Sequence, residues 1–552
     1  MVPPFGTTSL SRAVVDVAPP PVPSQRADAA IAEGRVGRAR RLLLTPEAGV
    51  VAIALVFLAI SAWWLATDLR MVNLDNGKHL LISVRIYQDF ATGRLFEPFS
   101  GFDIYPPGVH VVGALASLVI GRPTIFGMVF AENLVFVPLL ALGCYGTARV
   151  AFDRRAGLLA AIFALSVPLV MSMFHVLLVD APEAAMVAMT VWLLLASDRF
   201  SRVGLAAAAG VAAGLGMYTK GTFVMFILGV VAVMLLRGGW RSWKGFAAFG
   251  IVASVIAGPW YLAHLGDLEG QTYGAVAGGV PIWYGGVPFP QRWTLHNFTW
   301  YGWNLLNNQL YLPLSLFFAT GAGWSLWRLA RRPWKGSLLP ELLAGGFVGY
   351  FLISLLVLKD PRYSLPCLVY IAVLGTAWVV HAPRTVRLAA TALLIGVLVV
   401  NTVNHNFGVG GVHRIRTPWA VNSPNAEYQF KLLNEAGFFE GGPDRRAEPL
   451  LGLLERLRKH GPNVIFDAAT LSGGGYNLSG LTIFAFKAKL LLLAFEPDAV
   501  RQPQDAWVTR AVIEDVGRPP CLVSPLADDG TGIYVYRGRV PTNLRRARPD
   551  CP

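Results

Sequence analysis

Five short stretches of the chain combine charge with proline or glycine: NLDNGKH (73–79), IYPPGVH (104–110), VDAPEA (179–184), YTKGT (218–222) and KDPRY (359–363). Their cations Lys220, Lys359 and Arg362 flank apolar runs, where a charge is costly unless it meets a counter-charge. Together they could hold an anionic ligand, most simply a lipid phosphate; each alone could instead snorkel to headgroups. The carboxylates Asp75 and Asp180 belong to the same set. An acid beside an anionic donor makes sense if it takes the proton of an attacking hydroxyl. The local alternative is capping: Asp75 for a helix starting near Gly77, and Asp180 for a helix with Pro182 in its first turn. Tyr105, Asp103 and His79 are candidate lining residues. Glu132 lies inside an apolar run, where an acid is a functional candidate by default, unless the preceding Arg122 neutralises it.

The elements that must position these groups are membrane spans. Of 552 residues, 54% are hydrophobic and only 14% charged, against about 25% charged in an average soluble protein. The apolar excess comes in long runs, near 48–66, 124–150, 156–175, 182–197, 203–219, 221–236, 245–264, 308–328, 341–358, 363–381 and 388–404. That pattern predicts an all-α polytopic membrane bundle of about eleven transmembrane helices. Basic clusters at Arg154-Arg155, Arg199/Arg202, Arg237/Arg241/Lys244, Arg328/Arg331/Arg332/Lys335 and Arg384/Arg387 all fall on the cytoplasmic side if 107–121 lies along the interface rather than crossing it. The five chemical stretches then gather at the outer face.

Residues 1–45, rich in Pro and Ala and ending in Arg35, Arg38, Arg40 and Arg41, are expected to be a disordered cytoplasmic tail. Residues 46–405 form the transmembrane domain, with outer loops at 68–123 and 265–305. Residues 406–552 turn soluble in composition and are expected to form a small extracytoplasmic α/β domain. Strands are predicted at 462–470, 520–525 and 532–538, a helix at 447–461, and domain core at 480–496. The expected location is the plasma (inner) membrane, multi-pass, with the N-terminus cytoplasmic.

The net charge of +14 does not point to nucleic acid, because the cations cluster between apolar runs rather than on a basic face interleaved with aromatics. No P-loop or GxGxxG pattern offers a seat for a soluble nucleotide. The histidines show no HExxH pattern; His79, His110, His175, His264 and His296 could converge outside, so a divalent metal is an open option without support from spacing.

The order of these motifs resembles the GT-C superfamily of integral-membrane glycosyltransferases, in the branch of protein O-mannosyltransferases and lipid A aminoarabinose transferases. The resemblance rests on the first-loop acid Asp75, on Tyr105-Pro106-Pro107, and on GRPTIFG (121–127) with the basic turn of YGTARVAFDRRAGLLAAIFALSVP (145–168). VDAPEA, GLGMYTKGT (214–222) and DPRYSLP (360–366) complete it, and it covers about residues 50–405. It implies a GT-C bundle with juxtamembrane helices over the active site, and a sugar donor carried on polyprenyl phosphate. Asp75 is then the catalytic base, Asp180 the second acid, and Lys220 and Arg362 lie near the phosphate, with Lys359 beside them. The acceptor is an unspecified lipid, protein or polysaccharide hydroxyl, and transfer is inverting. Two departures stand out: relatives often carry a charged residue immediately before the Pro-Pro pair, where this chain has Ile104-Tyr105, and an Asp-Glu pair where it has Asp75-Asn76. The rival class is a secondary transporter or lipid flippase, which would favour internal repeats that this sequence lacks.

Overall fold

A computed structural model describes residues 45–70, 74–100, 105–266, 293–331, 336–356 and 359–409, with short pieces at 413–416, 429–433, 442–443, 463–466, 491–493 and 533–535. The chain divides into two compact units, Met1–Gly49 and Val50–Pro552; the tail expected at 1–45 lies almost wholly outside the described residues, as do Asp103 and most of the 265–305 loop.

The chain runs through α1 (Pro46–Thr67), α2 (Leu74–Ala91), α3 (Glu97–Ser100), α4 (Gly108–Ile120), α5 (Ile125–Ala151), α6 (Arg154–Leu165), α7 (Pro168–Met173) and α8 (Asp180–Ala196). It continues through α9 (Val203–Met217), α10 (Phe223–Leu236), α11 (Trp243–Ala263), α12 (Leu295–Asn304), α13 (Tyr311–Arg331), α14 (Leu339–Ser354), α15 (Leu368–His381) and α16 (Arg384–Phe407). Local chemistry sets several starts. Thr124 accepts from Gly127 N at 3.0 Å to open α5, and Asp153 accepts from Ala156 N at 2.8 Å to open α6. In α1 one stripe is buried (Val50, Ala54, Leu58, Ser61, Trp64) while Val51, Leu55 and Val56 are exposed. An apolar exposed face suits lipid.

Among the described residues, five stretches are long and apolar enough to cross a membrane: Pro46–Thr67, Ile125–Ala151, Gly239–Ala263, Pro361–His381 and Arg384–Phe407. The expected span 308–328 falls on the 21-residue α13, and the other expected spans fall on shorter helices. The run 156–175 is not one helix: α6 ends at Leu165 and Pro168 begins α7, because proline cannot donate to the preceding turn. The run 363–381 opens as a 3₁₀ turn, Pro361–Cys367. At 13 residues, α4 is about 20 Å long, well short of the roughly 30 Å hydrocarbon core. It packs on α2 through Ile82, Ile86 and Ala114. Close helix approach is built in at Gly143, where an added Cβ would sit 2.6 Å from the backbone of Ala188, so α5 and α8 touch nearly backbone to backbone.

Beyond residue 409 the described residues include five strands. β1 (His413–Arg416) pairs antiparallel with β2 (Gln429–Leu433). β3 (Asn463–Phe466) lies between a parallel β4 (Leu491–Leu493) and an antiparallel β5 (Ile533–Val535). β3 and β5 fall within the strands expected at 462–470 and 532–538, and β4 within the apolar run 480–496; the helix expected at 447–461 and the strand at 520–525 lie outside the described residues.

Candidate active site

Backbone and amide hydrogen bonds dock the polar stretches on one another. Asp75 lies in the first turn of α2. Its neighbour Asn76 accepts a hydrogen bond from Leu177 N at 3.0 Å, which ties α2 to the stretch leading into Asp180. Gly108 N donates to Tyr218 O at 3.0 Å, and a Cβ on Gly108 would lie 2.7 Å from that oxygen. Only glycine lets the Pro-Pro element sit this close to the turn carrying Lys220.

Arg362 is the hub. Its Nη2 donates to Asp75 Oδ2 at 2.6 Å, and its Nε lies 3.1 Å from Asp360 Oδ2 and 3.7 Å from Asp180 Oδ2. Asp360 caps the 3₁₀ turn that carries the arginine, accepting from Arg362 N at 3.0 Å. Lys220 donates to Asp180 Oδ1 at 2.6 Å, lies 4.0 Å from Glu183 Oε2, and sits 4.2 Å over the Tyr363 ring. Thr222 donates to Glu183 Oε1 at 2.6 Å. Asp180 is thus the anion shared by both cations. It does not cap its helix: the N-cap is Val179, which makes no side-chain cap bond. The Asp75 side chain is 35% exposed, whereas those of Asp180 and Arg362 are 2% and 9% exposed.

Charge follows from this packing. Burial pushes Asp180 towards its neutral form, but Lys220 and Arg362 outweigh it and hold the carboxyl below the usual carboxylate range. Burial likewise opposes charge on Lys220, and Asp180 and Glu183 more than offset it, so the ammonium is held above its ordinary value. The site therefore contains fixed, charged cations rather than neutral bases.

Tyr105 and His79 adjoin Asp75. His79 Nε2 is 3.9 Å from Asp75 Oδ1, and its ring meets Tyr105 edge-on at 4.7 Å. Burial, helped by Asp75, raises Tyr105 above the ordinary phenol value. Lys359 does not join the cluster. Only 1% exposed, it donates to Ser354 O at 2.6 Å and lies 5.0 Å over Tyr301; burial lowers it to about 7. Glu132 is fully buried in α5, and neither carboxyl oxygen has a hydrogen-bond partner among the described residues. Of the five histidines, His79 and His110 meet, while His175 stacks on Trp64 and His264 on Trp260; the His296 side chain is outside the described set. Among the described residues no three His, Cys, Asp or Glu side chains are placed to hold a metal ion.

Asn76, Glu183, Thr222, Asp360 and Tyr363 were not singled out from sequence. All five adjoin a candidate residue or share its motif, so membership of NLDNGKH, VDAPEA, YTKGT and KDPRY is the available signal. Gln309 had none: its amide donates to Pro361 O at 2.5 Å and Ser364 Oγ at 2.6 Å, from a π-helical turn, Leu305–Leu310.

Residues 105–261 match the family model of dolichyl-phosphate-mannose-protein mannosyltransferases. No curated protein matches the chain. Among solved structures it is similar to ArnT from Cupriavidus metallidurans bound to undecaprenyl phosphate, at 20% identity and a TM-score of 0.46, covering 64% of this chain and 63% of that one. It is also similar to the apo Archaeoglobus fulgidus oligosaccharyltransferase, at 12% identity and a TM-score of 0.46, covering 80% of this chain and 64% of that one. The chain thus spans a little under two thirds of the length of either. The stretch that supplies Tyr105, Asp180 and Lys220 carries the mannosyltransferase pattern, and the chain resembles the GT-C glycosyltransferases.

Proposed function

We propose that this chain is an inverting membrane glycosyltransferase that moves a sugar from a polyprenyl-phosphate donor to an acceptor hydroxyl at the outer face of the plasma membrane. The observation that carries the reading is the partly exposed Asp75 carboxylate, 2.6 Å from an arginine that buried acids hold in place.

Asp75 takes the acceptor proton as the acceptor oxygen attacks the anomeric carbon, and the bond from that carbon to the phosphate oxygen breaks. Negative charge builds on the departing lipid phosphate, where Arg362 and Lys220 stabilise it. Cations fixed beforehand need no reorganisation at that moment. Asp180 is a positioning residue: with 2% of its side chain exposed, it orients Lys220 and Arg362 rather than touching substrate. Attack opposite the leaving phosphate inverts the anomeric carbon, and no second exposed carboxylate stands in the cluster among the described residues to serve as nucleophile. Lys359 supports the arginine-bearing loop from behind instead of meeting the phosphate.

The test is consumption of a labelled polyprenyl-phosphate sugar in membranes containing the wild type or Asp75→Asn at matched expression. Loss of label from the lipid with wild type alone is expected, and the labelled product identifies the acceptor class. Equal consumption by both would remove Asp75 as base; none by either, across several donor sugars, would overturn the transferase reading.

A further inference from the structure

The turn after α2 is apolar and faces outward. Residues 92–99 read TGRLFEPF; Leu95 and Phe99 are exposed, and Phe96 is 83% exposed. A single exposed apolar side chain is ordinary. Three within five positions, one a phenylalanine largely in the open, mark an interaction surface. The local backbone holds them there. α2 ends at Ala91, and Gly93 takes a left-handed φ of 82°, which glycine adopts freely. Arg94 N then donates to Asp89 O at 2.8 Å, and Arg94 Nη2 lies 2.6 Å from Asp89 Oδ1. On the far side Phe99 N donates to Phe96 O at 3.0 Å, and Pro98 is buried. Leu95 and Phe96 are thus fixed at the tip from both sides.

The neighbouring helix says what covers this surface. α3 packs against α11, part of a stretch long and apolar enough to cross a membrane. Phe99 meets the Tyr218 ring edge-on at 6.3 Å, and Tyr261 of α11 donates to Met217 O at 2.9 Å. Met217 and Tyr218 are consecutive, so the apolar turn lies at the Ala263 end of α11. On that helix Ile251, Val255 and Leu262 are all exposed, at spacings that make one outward apolar stripe. Such a stripe on a spanning helix has acyl chains for its neighbour. Leu95 and Phe96 stand beside the end of that helix, level with Tyr218 and Tyr261, and amphipathic rings of this kind collect where acyl chains give way to headgroups.

We infer that Leu95 and Phe96 form a membrane foot: they enter the acyl region of the bilayer leaflet at the Ala263 end of α11, with the exposed Arg94 and Glu97 on either side at headgroup height. An apolar contact surface with charged flanks is the pattern of segments that lie in an interface. Arg94 suits the flank, since its side chain stays exposed although it is paired with Asp89, and long cationic chains reach from apolar surroundings to headgroups. A short path joins the foot to the candidate site. Phe99 touches Tyr218, Tyr218 O accepts from Gly108 N at 3.0 Å, and Lys220 follows two residues later. The depth of the foot therefore fixes the depth of the Lys220 turn in the leaflet. Insertion requires no sugar transfer, so it stands or falls independently of the transferase reading.

Spin labelling of the full-length protein in phosphatidylethanolamine–phosphatidylglycerol nanodiscs reads the depth directly. Cys144 and Cys367 are buried, and Cys521→Ser with Cys551→Ser removes the other two thiols. A nitroxide at Phe96→Cys is expected to collide several-fold more often with oxygen, which concentrates among acyl chains, than with a water-soluble nickel chelate. A nitroxide at Val255→Cys, on the lipid face of α11, supplies the reference value. A signal dominated by nickel overturns the foot. So does an immobile nitroxide that neither reagent reaches, which would mean that a protein surface covers the turn. Because a nitroxide is itself apolar, a second measurement leaves Phe96 in place: the label sits at the exposed Ala91→Cys, with and without Phe96→Glu. Phe96 is exposed, so Phe96→Glu leaves the packing intact. Loss of the foot is expected to raise nickel collisions at position 91 several-fold, and unchanged collisions there overturn it.

Discussion

Arg362 Nη2 lies 2.6 Å from Asp75 Oδ2, although the two residues are 287 positions apart in the chain. The pair joins the first polar loop to the turn before α15, and through Asp180 it reaches Lys220 as well. A candidate base and the candidate phosphate cations are therefore one electrostatic unit.

Asp75→Asn keeps the shape and a polar contact to Arg362 but cannot take a proton. Transfer should fall by about 10²–10⁴-fold, while donor binding and expression persist. Scintillation counting of labelled lipid donor, alongside equilibrium donor binding, checks both halves.

Arg362→Ala should weaken donor binding and also unfold the protein more easily, since it leaves the buried Asp360 and Asp180 without their arginine. Breaking a buried pair from one side costs about 3–5 kcal/mol, read as a lowered Tm in detergent. Arg362→Lys should recover only part of the loss, because one ammonium cannot replace a fork that faces three carboxylates.

The Asp180–Lys220 pair predicts a pH window. Asp180 is held low in the fold, so its contribution is present above its unfolded value of 3.8 and is lost as pH falls through the lower folded value. Lys220 is held high, so its contribution is present below 10.5 and is lost as pH rises through the higher folded value. The stability difference between wild type and Lys220→Met should shrink as pH falls below the first limit and as it rises above the second. Thermal melts over pH 3–11 measure it.

Lys359 behaves in the opposite sense. Its folded value of about 7 lies below the ordinary 10.5, so between those pH values the unfolded chain binds a proton that the folded chain does not. Stability should rise with pH across that interval, and Lys359→Met should remove this part of the slope. Identical slopes would mean that the ammonium keeps its charge in place.

Gly108→Ala introduces a Cβ 2.7 Å from Tyr218 O, a backbone atom with no rotamer to change. Overpacking of this kind costs about 1–3 kcal/mol. Loss of transfer should accompany the lower Tm, because the strained contact separates the Pro-Pro element from the Lys220 turn.

Much of this was legible in the chain. The apolar runs locate the helices, and charge beside proline or glycine at their ends marks Asp75, Asp180, Lys220 and Arg362. The capping alternative for Asp180 was equally good by spacing, and only the contact with Lys220 decides against it. Lys359 and Arg362, three residues apart in one motif, could not be told apart by type. The turn sends Arg362 into the carboxylate cluster and Lys359 behind it, against Ser354 and Tyr301. The break within 156–175 was written in Pro168 but hidden by the unbroken hydrophobicity around it.

The sequence by itself determined what is set by composition and short-range period: the membrane-spanning class, the helix segments, and contacts such as Asp75 with His79, which one helical turn brings together. Only the tertiary structure decided which cation meets which acid, that Asn76 pins Asp75 to the stretch before Asp180, and that Gln309 supports the arginine turn. The reason is physical. Periodicity constrains neighbours three or four residues away, whereas a pairing across hundreds of residues depends on how whole helices pack, and buried charges settle into whichever arrangement satisfies most of them at once.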